Sequence, residues 1–560
     1  MSEQTPAAFL APAVLLAGGP RRFNLAVERL LLYLGFDDVR VIDGANDGGG
    51  DILAHRAAES FVFQCKWTTA TTISRAAVDE VEAARLRYAS MRAVVVTNAV
   101  LDSAAQKRVD DLKAVGSRVE VWNIGHLLRL STAIPDVVPG LYEPRPYQVS
   151  AIAALEDGLE KSRRALLILA TGLGKTVVGG EVIRHHLEKH PDDDVLVVAA
   201  MKDLVQQLER AVWRHLPKRV ATQVLTGEQK PPSLTGVTFA TVESAFAAAE
   251  AGYRPALIMV DESHHVAEEG FFQRLLLLCD ASLQFGVTAT PWRGDCYDIS
   301  AHFGLPTFRM GIAEGMAKGW LAQVDYRVLV DNIDWEVVRD ASARGYTVRE
   351  LNSKLFMPER DEAIIERLWE TWTTTSNPRA IVFCKTVQHA EEVAEALARY
   401  STTWRNARCL HTDMSKRDRE VALSDFRGGK VPILTAVDIL NEGVDVPDVN
   451  ILAFLRVTHS RRIFVQQLGR GLRLRQGKDR VTVLDFVTDV RRLAALATLR
   501  KDLDAARGPA ETLMLGEAAR IVFSDANVGT LMDAWLKDAA DVETAMDDAK
   551  LQFPEPLGHA

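Results

Sequence analysis

The sequence predicts an α/β protein: a small N-terminal α/β domain, two tandem parallel-sheet domains and a helical C-terminal tail. Three observations carry this expectation. After residue 144, the apolar runs LLILA, VLVVAA, VTFAT, ALIMV and FGVTAT alternate with helical patterns, the alternation that builds a mostly parallel sheet. Around residue 324 the pattern restarts with DYRVLVD, then passes through AIVFC, VPILTA and ILAFL to VTVLDFV. Upstream of both, STAIPDVVPGLYEP places Pro135, Pro139 and Pro144 between two patterned regions and reads as a stiff linker.

Before that linker, a helix is expected at 23 to 34 and short strands near 39 to 42, 51 to 54, 61 to 67, 93 to 97 and 118 to 122, with a further helix at 74 to 88. The expected division is an extension at 1–20, a first domain at 21–130, a linker at 131–144, parallel-sheet domains at 145–323 and 324–490, and a helical region at 491–560 rich in Ala, Asp and Leu. At 560 residues, with 48% apolar and 25% charged residues, the chain has the balance of a globular multidomain protein. The formal net charge of -9 supplies no overall basic field, so contact with nucleic acid would rest on local basic surface. The cysteines at 65, 279, 296, 384 and 409 form no CxxC pair, which argues against structural zinc or a disulfide framework and for a reducing, cytoplasmic setting. The apolar stretch AAFLAPAVLLAG follows Glu3 and precedes Arg21 and Arg22, the wrong charge order for a signal peptide, and it is too short to span a bilayer.

The run LLILA leads into ATGLGKT. In that turn Thr171, Gly172 and Gly174 open backbone N–H groups at a helix N-terminus, Lys175 suits β and γ phosphates, and Thr176 suits Mg²⁺. Leu169 stands where the strict phosphate-loop spacing has glycine. Downstream, ALIMV ends in DESHH, which sets Asp261 and Glu262 at the carboxyl end of a strand, where ligand chemistry sits in open α/β sheets. Asp261 suits metal coordination and Glu262 suits polarising a water; the bland alternative is an acidic turn. In FVQQLGRGLR, residues Gln466, Arg470 and Arg473 share one helix face, either a solvated basic face or a source of arginine fingers toward a γ-phosphate.

Together these segments resemble superfamily 2 helicases, particularly the branch of restriction-enzyme motor subunits and XPB-like helicases. The resemblance covers about residues 143 to 490, through RPYQ, ATGLGKT, DESHH, TATP, VDILNEGVDVP and QQLGRGLR in the family's order. It implies two RecA-like domains, ATP and Mg²⁺ as cofactors, and adenine recognition by Gln148. It further implies coupling of hydrolysis to nucleic-acid contact by Thr288 and Thr290, an interdomain cleft lined by Gly443 and Asp445, and a DExH signature completed by His264.

In SFVFQCKW, the period-2 rule places Val62, Gln64 and Lys66 on one strand face and Phe61, Phe63, Cys65 and Trp67 on the other. NDGGGDILA brings Asp51 out of a Gly-rich turn into a neighbouring strand, so Asp51, Gln64 and Lys66 converge at one sheet edge. A carboxylate to hold Mg²⁺ and a lysine to orient water or stabilise a pentavalent phosphate suit phosphodiester hydrolysis. Over about residues 20 to 130 this resembles the Mrr-like branch of the PD-(D/E)xK restriction endonucleases, with DGGGD, QCK and VVVTNAVLDSAAQKR as the matches. By that resemblance the acid on the family's first helix maps to Glu28, which lies off the helix's apolar stripe and is expected to face a site or solvent. Gln64 stands where many nuclease families carry an acidic metal ligand. The alternatives are a catalytically silent DNA-binding module, a solvated Glu28, and a Lys66 that only pairs with Asp51.

Basic residues gather at Arg461, Arg462, Arg470, Arg473, Arg475, Lys478 and Arg480, and no recognition module is legible, so the nuclease resemblance favours DNA over RNA. The leading expectation is an ATP-dependent DNA helicase or translocase that also cuts DNA in restriction or phage defence, with defence or repair proteins as partners and no membrane. The alternatives are a repair or recombination helicase whose first domain only binds DNA, and an ATP-gated switch that clamps DNA.

Overall fold

The computed structural model describes residues 5–42, 49–140, 143–266, 270–289, 299–329, 361–384, 386–411, 413–414, 416–437, 449–455, 480–486 and 519–523. Two compact units divide the chain: Met1–Leu167 with Gly174–Arg309, and Ile168–Leu173 with Met310–Ala560.

The first unit holds a five-stranded and a seven-stranded sheet, besides a two-stranded parallel pair of Thr72–Ile73 with Val100–Leu101. The N-terminal sheet runs in the order β1 (Asp37–Val41), β2 (Ile52–Arg56), β3 (Glu59–Lys66), β4 (Arg92–Thr97), β5 (Val119–Trp122). The β1–β2 and β2–β3 pairs are antiparallel, while β3–β4 and β4–β5 are parallel. The alternation along β3 has the expected consequence. Phe61, Phe63 and Cys65 enter one core cluster with Phe23, Val27 and Leu31 of a helix at Gly19–Tyr33. Val62 enters another with Ala77, Val78, Val81 and Ala84 of a helix at Arg75–Arg87. A helix thus covers each face of the central strand, and Cys65 is a core residue.

The helices are numbered α1 (Pro12–Ala17), α2 (Gly19–Tyr33), α3 (Arg75–Arg87), α4 (Ser103–Ala114), α5 (Ile124–Ala133), α6 (Pro146–Ser162), α7 (Lys175–Lys189) and α8 (Lys202–Trp213). The second sheet has seven strands: β6 (Arg164–Leu169), β7 (Val195–Ala199), β8 (Thr222–Leu225), β9 (Val237–Thr241), β10 (Leu257–Asp261), β11 (Leu283–Thr288) and β12 (Phe308–Met310), in the order β8-β9-β7-β10-β11-β6-β12. The registered pairs among β7 to β11 are parallel. The sequence pattern missed β8 and β12, short strands toward the edges where burial is shared and apolar runs are weak.

The expected extension and linker are corrected by the structure. Phe9, Leu10 and Leu15 are buried in the N-terminal core, and so are Ile134 and Val138. Trp213, at the end of α8, belongs to the same cluster, so the N-terminal domain and the first parallel-sheet domain share one core. The reason is polar as well as apolar. Arg29 of α2, 1% exposed, donates to the carbonyls of Val220 (3.0 Å) and Pro217 (3.4 Å), and the Tyr33 hydroxyl donates to Leu216 O (2.6 Å). In return Lys218 Nζ donates to the carbonyls of Thr132 (3.0 Å) and Ile134 (2.7 Å), at the C-terminal end of α5. Buried carbonyls without these donors would cost about 1–3 kcal/mol each.

The second unit contains a sheet of seven strands: β13 (Gln323–Leu329), β14 (Ala380–Phe383), β15 (Arg408–Leu410), β16 (Ile433–Ala436), β17 (Ile451–Phe454), β18 (Arg480–Phe486) and β19 (Ala519–Phe523). Their order is β15-β16-β14-β17-β18-β13-β19, with all pairs parallel. The strand β19 corrects the expectation of a wholly helical tail. Ala519–Phe523 pairs with β13 and extends the second parallel sheet beyond residue 490.

Glu209 of α8 lies in the interface, 4% exposed, accepting from the Thr222 hydroxyl at 2.9 Å. Burial pushes its carboxyl up to about 7 against the opposing pull of Thr222, Arg210 and Arg29. A raised acid is stabilising while protonated, so its contribution is complete below its ordinary value of 4.5 and is lost as pH rises through about 7. Glu209→Gln should therefore match the parent in urea denaturation at pH 4.5 and gain on it up to pH 7, at up to about 1.4 kcal/mol per pH unit, then hold a constant lead. A lead independent of pH would remove the burial argument.

Candidate functional site

The first site sits at the carboxyl edge of the first parallel sheet. Gly172 (φ 91°) and Gly174 (φ 84°) are left-handed, a conformation that turns β6 sharply into α7. An added Cβ on Gly174 would stand 2.5 Å from Gln148 Nε2. The buried Gln148 amide therefore lies against the loop, and its Oε1 accepts from Arg145 N at 2.8 Å in a capping box that opens α6. The hydroxyl of Thr171 is buried without a hydrogen-bond partner. A cradle closed to side chains, an orphan hydroxyl and a helix N-terminus starting at Lys175 together fit a phosphate group.

Lys175 Nζ meets Glu262 Oε1 at 2.9 Å, with the side chains only 12% and 16% exposed. Glu262 adopts φ 47°, a strained value for a non-glycine residue, which the turn after β10 imposes. Burial opposes its ionisation, but the Lys175 charge and the His264 hydrogen bond override it and hold the carboxyl well below its usual range. His264 Nδ1 lies 3.3 Å from Glu262 Oε2 and 2.9 Å from Thr288 Oγ1. His264 is thus a buried bridge between the ends of β10 and β11. Asp261 closes β10, buried beside Glu262.

The second site lies on the N-terminal sheet. Asp51 Oδ2 accepts from Gln64 Nε2 at 2.9 Å and from Cys65 N at 2.5 Å, and both Asp51 and Gln64 are buried. The structure brings Asp51 and Gln64 together as the sequence predicts. Lys66 departs from the alternative pairing: its Nζ meets Glu80 Oε2 of α3 at 2.6 Å. Sequence reasoning missed Glu80, whose signal was only its place on the expected helix at 74 to 88. Glu28 is a correction. Its carboxylate does not face solvent but pairs with Arg210 Nε of α8 at 2.7 Å, because α2 is buried around most of its circumference. Thr290, Gly443, Asp445, Gln466, Arg470 and Arg473 lie outside the described residues, as do Arg461, Arg462, Arg475 and Lys478.

Three family models match the chain. Residues 15–131 match the Mrr_cat restriction endonuclease family, residues 141–293 the type III restriction enzyme res subunit family, and residues 339–475 the helicase conserved C-terminal domain. The chain joins an Mrr-type restriction endonuclease domain to a superfamily 2 helicase core. It is 26% identical over 382 residues to the type I restriction enzyme EcoAI endonuclease subunit of Escherichia coli, spanning 61% of this chain and 46% of that protein. To the DNA 3'-5' translocase XPB2 of Sulfurisphaera tokodaii it is 27% identical over 370 residues, spanning 59% of this chain and 79% of that one. The chain covers 58% and 46% of the first two curated relatives it matches. Among solved structures, the type ISP restriction-modification enzyme LlaBIII bound to DNA shares the fold at a TM-score of 0.51 and 17% identity, covering 93% of this chain and 42% of that one. No helix among the described residues is long and apolar enough to cross a membrane.

The contact between Gly174 and Gln148 gives a test. Gly174→Ala should carry about 1–2 kcal/mol of left-handed strain and displace the amide, lowering affinity for a fluorescent ATP analogue about tenfold or more. Unchanged affinity would separate Gln148 from the loop's function.

Proposed function

We propose that the chain is a DNA-directed ATPase that moves on or remodels DNA and cleaves it at a second, metal-dependent site, acting in restriction or phage defence. The observation that carries this reading is the presence, within one compact unit, of two separate constellations: Lys175 with Glu262, and Asp51 with Gln64 and Lys66. The family matches to restriction-enzyme motor and nuclease domains support the pairing of activities.

At the ATP site, Gln148 would read adenine, the loop from Thr171 to Gly174 and Lys175 would receive the phosphates, and Thr176 and Asp261 would hold Mg²⁺. Lys175 is engaged by Glu262 in the geometry described, so a γ-phosphate that captures the lysine frees Glu262 to orient a water. His264 would hold the other carboxylate oxygen and report the state of the site to Thr288. Arg470, Arg473 and Gln466 would complete the site from the second helicase domain, with Gly443 and Asp445 beside it. At the DNA-cleaving site, the unpartnered Gln64 Oε1 next to Asp51 fits a hard cation, which takes oxygen ligands. Asp51 would hold that cation, which supplies charge neutralisation and an activated water, and Lys66 would face the scissile phosphate.

Glu262→Gln should reduce DNA-stimulated ATP turnover by about 10²–10⁴-fold while nucleotide still binds, and Lys175→Ala should weaken both. ATP turnover that persists in the two variants would remove the motor assignment. The division of labour is tested by Asp51→Ala and Lys66→Ala, each expected to abolish Mg²⁺-dependent nicking of duplex DNA and to leave ATPase activity near the parent's, measured on the same preparations. If Asp51→Ala nicks as well as the parent, the first domain is a binding module, and the repair-helicase reading takes its place.

A further inference from the structure

The Gln64 substitution leaves an electrostatic deficit. With Asp51 negative, Lys66 positive and Gln64 neutral, the three residues sum to zero charge, a poor match for a hard divalent cation that binds oxygen ligands through negative charge. Among the described residues no three His, Cys, Asp or Glu side chains gather as a metal cage, so any further carboxylate must be found singly. Glu80 is that carboxylate.

Its position is built by packing. Val62 lies on the same face of β3 as Gln64 and Lys66 and packs with Ala77, Val78, Val81 and Ala84, so α3 covers the face that carries the site. Glu80 stands among those helix residues and reaches Lys66 Nζ at 2.6 Å, with the pair partly exposed. The turn that delivers Asp51 rests on the same point. Gly49 is left-handed (φ 86°), and an added Cβ there would stand 2.5 Å from the Glu80 carbonyl oxygen. Independently, Gln64 is 4% exposed, its Nε2 is spent on Asp51, and its Oε1 has no partner. A buried acceptor without a protein partner can take a water or a cation as its partner.

We propose that Glu80 is the second acidic group of the DNA-cleaving site and holds a divalent cation together with Asp51 and Gln64 Oε1. It supplies from α3 the charge that a strand acid would supply at position 64. Glu80 brings the cluster to a net charge of −1, and Lys66, which neutralises it in the geometry described, is released to meet the phosphate when the carboxylate turns to the cation. The inference rests on the nuclease reading above.

The test uses the full chain and Mn²⁺ as probe, with Mn²⁺ affinity read by electron paramagnetic resonance and nicking of supercoiled DNA measured in Mg²⁺. Glu80→Gln should weaken Mn²⁺ binding at least tenfold and slow nicking at least a hundredfold, with ATPase activity unchanged. Adding Gln64→Glu to Glu80→Gln should recover Mn²⁺ affinity by returning the carboxylate to the strand. If Glu80→Gln keeps the parent's affinity and nicking while Asp51→Asn loses both, the role of Glu80 is overturned and the nuclease reading stands. Loss in Glu80→Gln that Gln64→Glu does not recover makes Glu80 a packing residue and also overturns the proposal. If Asp51→Asn, too, leaves both readouts unchanged, the nuclease reading itself fails.

Discussion

The carbonyl groups of Leu216, Pro217 and Val220 turn inward between two domains, and the arrangement of the first unit depends on the donors that meet them. Arg29 and Tyr33 supply those donors from α2, while Lys218 answers in the other direction at Thr132 and Ile134. All of these partners but the exposed Thr132 are buried, so most of the bonds are costly to leave unmade. The guanidinium of Arg29 also sits over the Phe9 ring at 4.5 Å, which ties the first residues of the chain into the same knot. The N-terminal domain and the first parallel-sheet domain accordingly fall within one compact unit.

That constraint explains the change of role at Glu28. On an isolated domain, an acid off the apolar stripe of α2 would look outward. Here the outward side of α2 is the interface, and Arg210 of α8 takes the carboxylate. Glu28 is thus committed to the domain contact through Arg210. Glu80, on the helix that covers the opposite face of the sheet, is paired instead with Lys66.

The parts of the fold that were legible are those with strong local period or special backbone demands. Alternation in SFVFQCKW fixes both faces of β3, and the central apolar strands of both helicase sheets are long enough to read. Gly172 and Gly174 announce the phosphate loop because only glycine enters its left-handed turns cheaply. The edge strands β8, β12, β15 and β19 are three to five residues long and carry little period. The docking of residues 7 to 15, and of Ile134 and Val138, is invisible for a different reason: an apolar residue near prolines states that it will be buried but not against what. Glu80 illustrates the same limit in a site, since an acid on an amphipathic helix has no sequence feature that separates it from a solvated one until Lys66 is found beside it.

Both sites store a lysine on a carboxylate, and the difference in burial sets what can release it. The pair of Lys175 and Glu262 is largely removed from water, where charges attract strongly and a bare carboxylate is expensive. A ligand that draws Lys175 away must bring comparable negative charge and leave Glu262 otherwise satisfied. A triphosphate does the first, and His264 does the second by holding Glu262 Oε2. Water alone is a weak competitor for the buried lysine, which favours hydrolysis that waits for bound nucleotide. The pair of Lys66 and Glu80 is about a third to a half exposed, a setting in which ion pairs contribute about 0–1 kcal/mol. It can open at little cost. One chain thus carries a tightly held, buried lysine–carboxylate pair and a loosely held, partly exposed one.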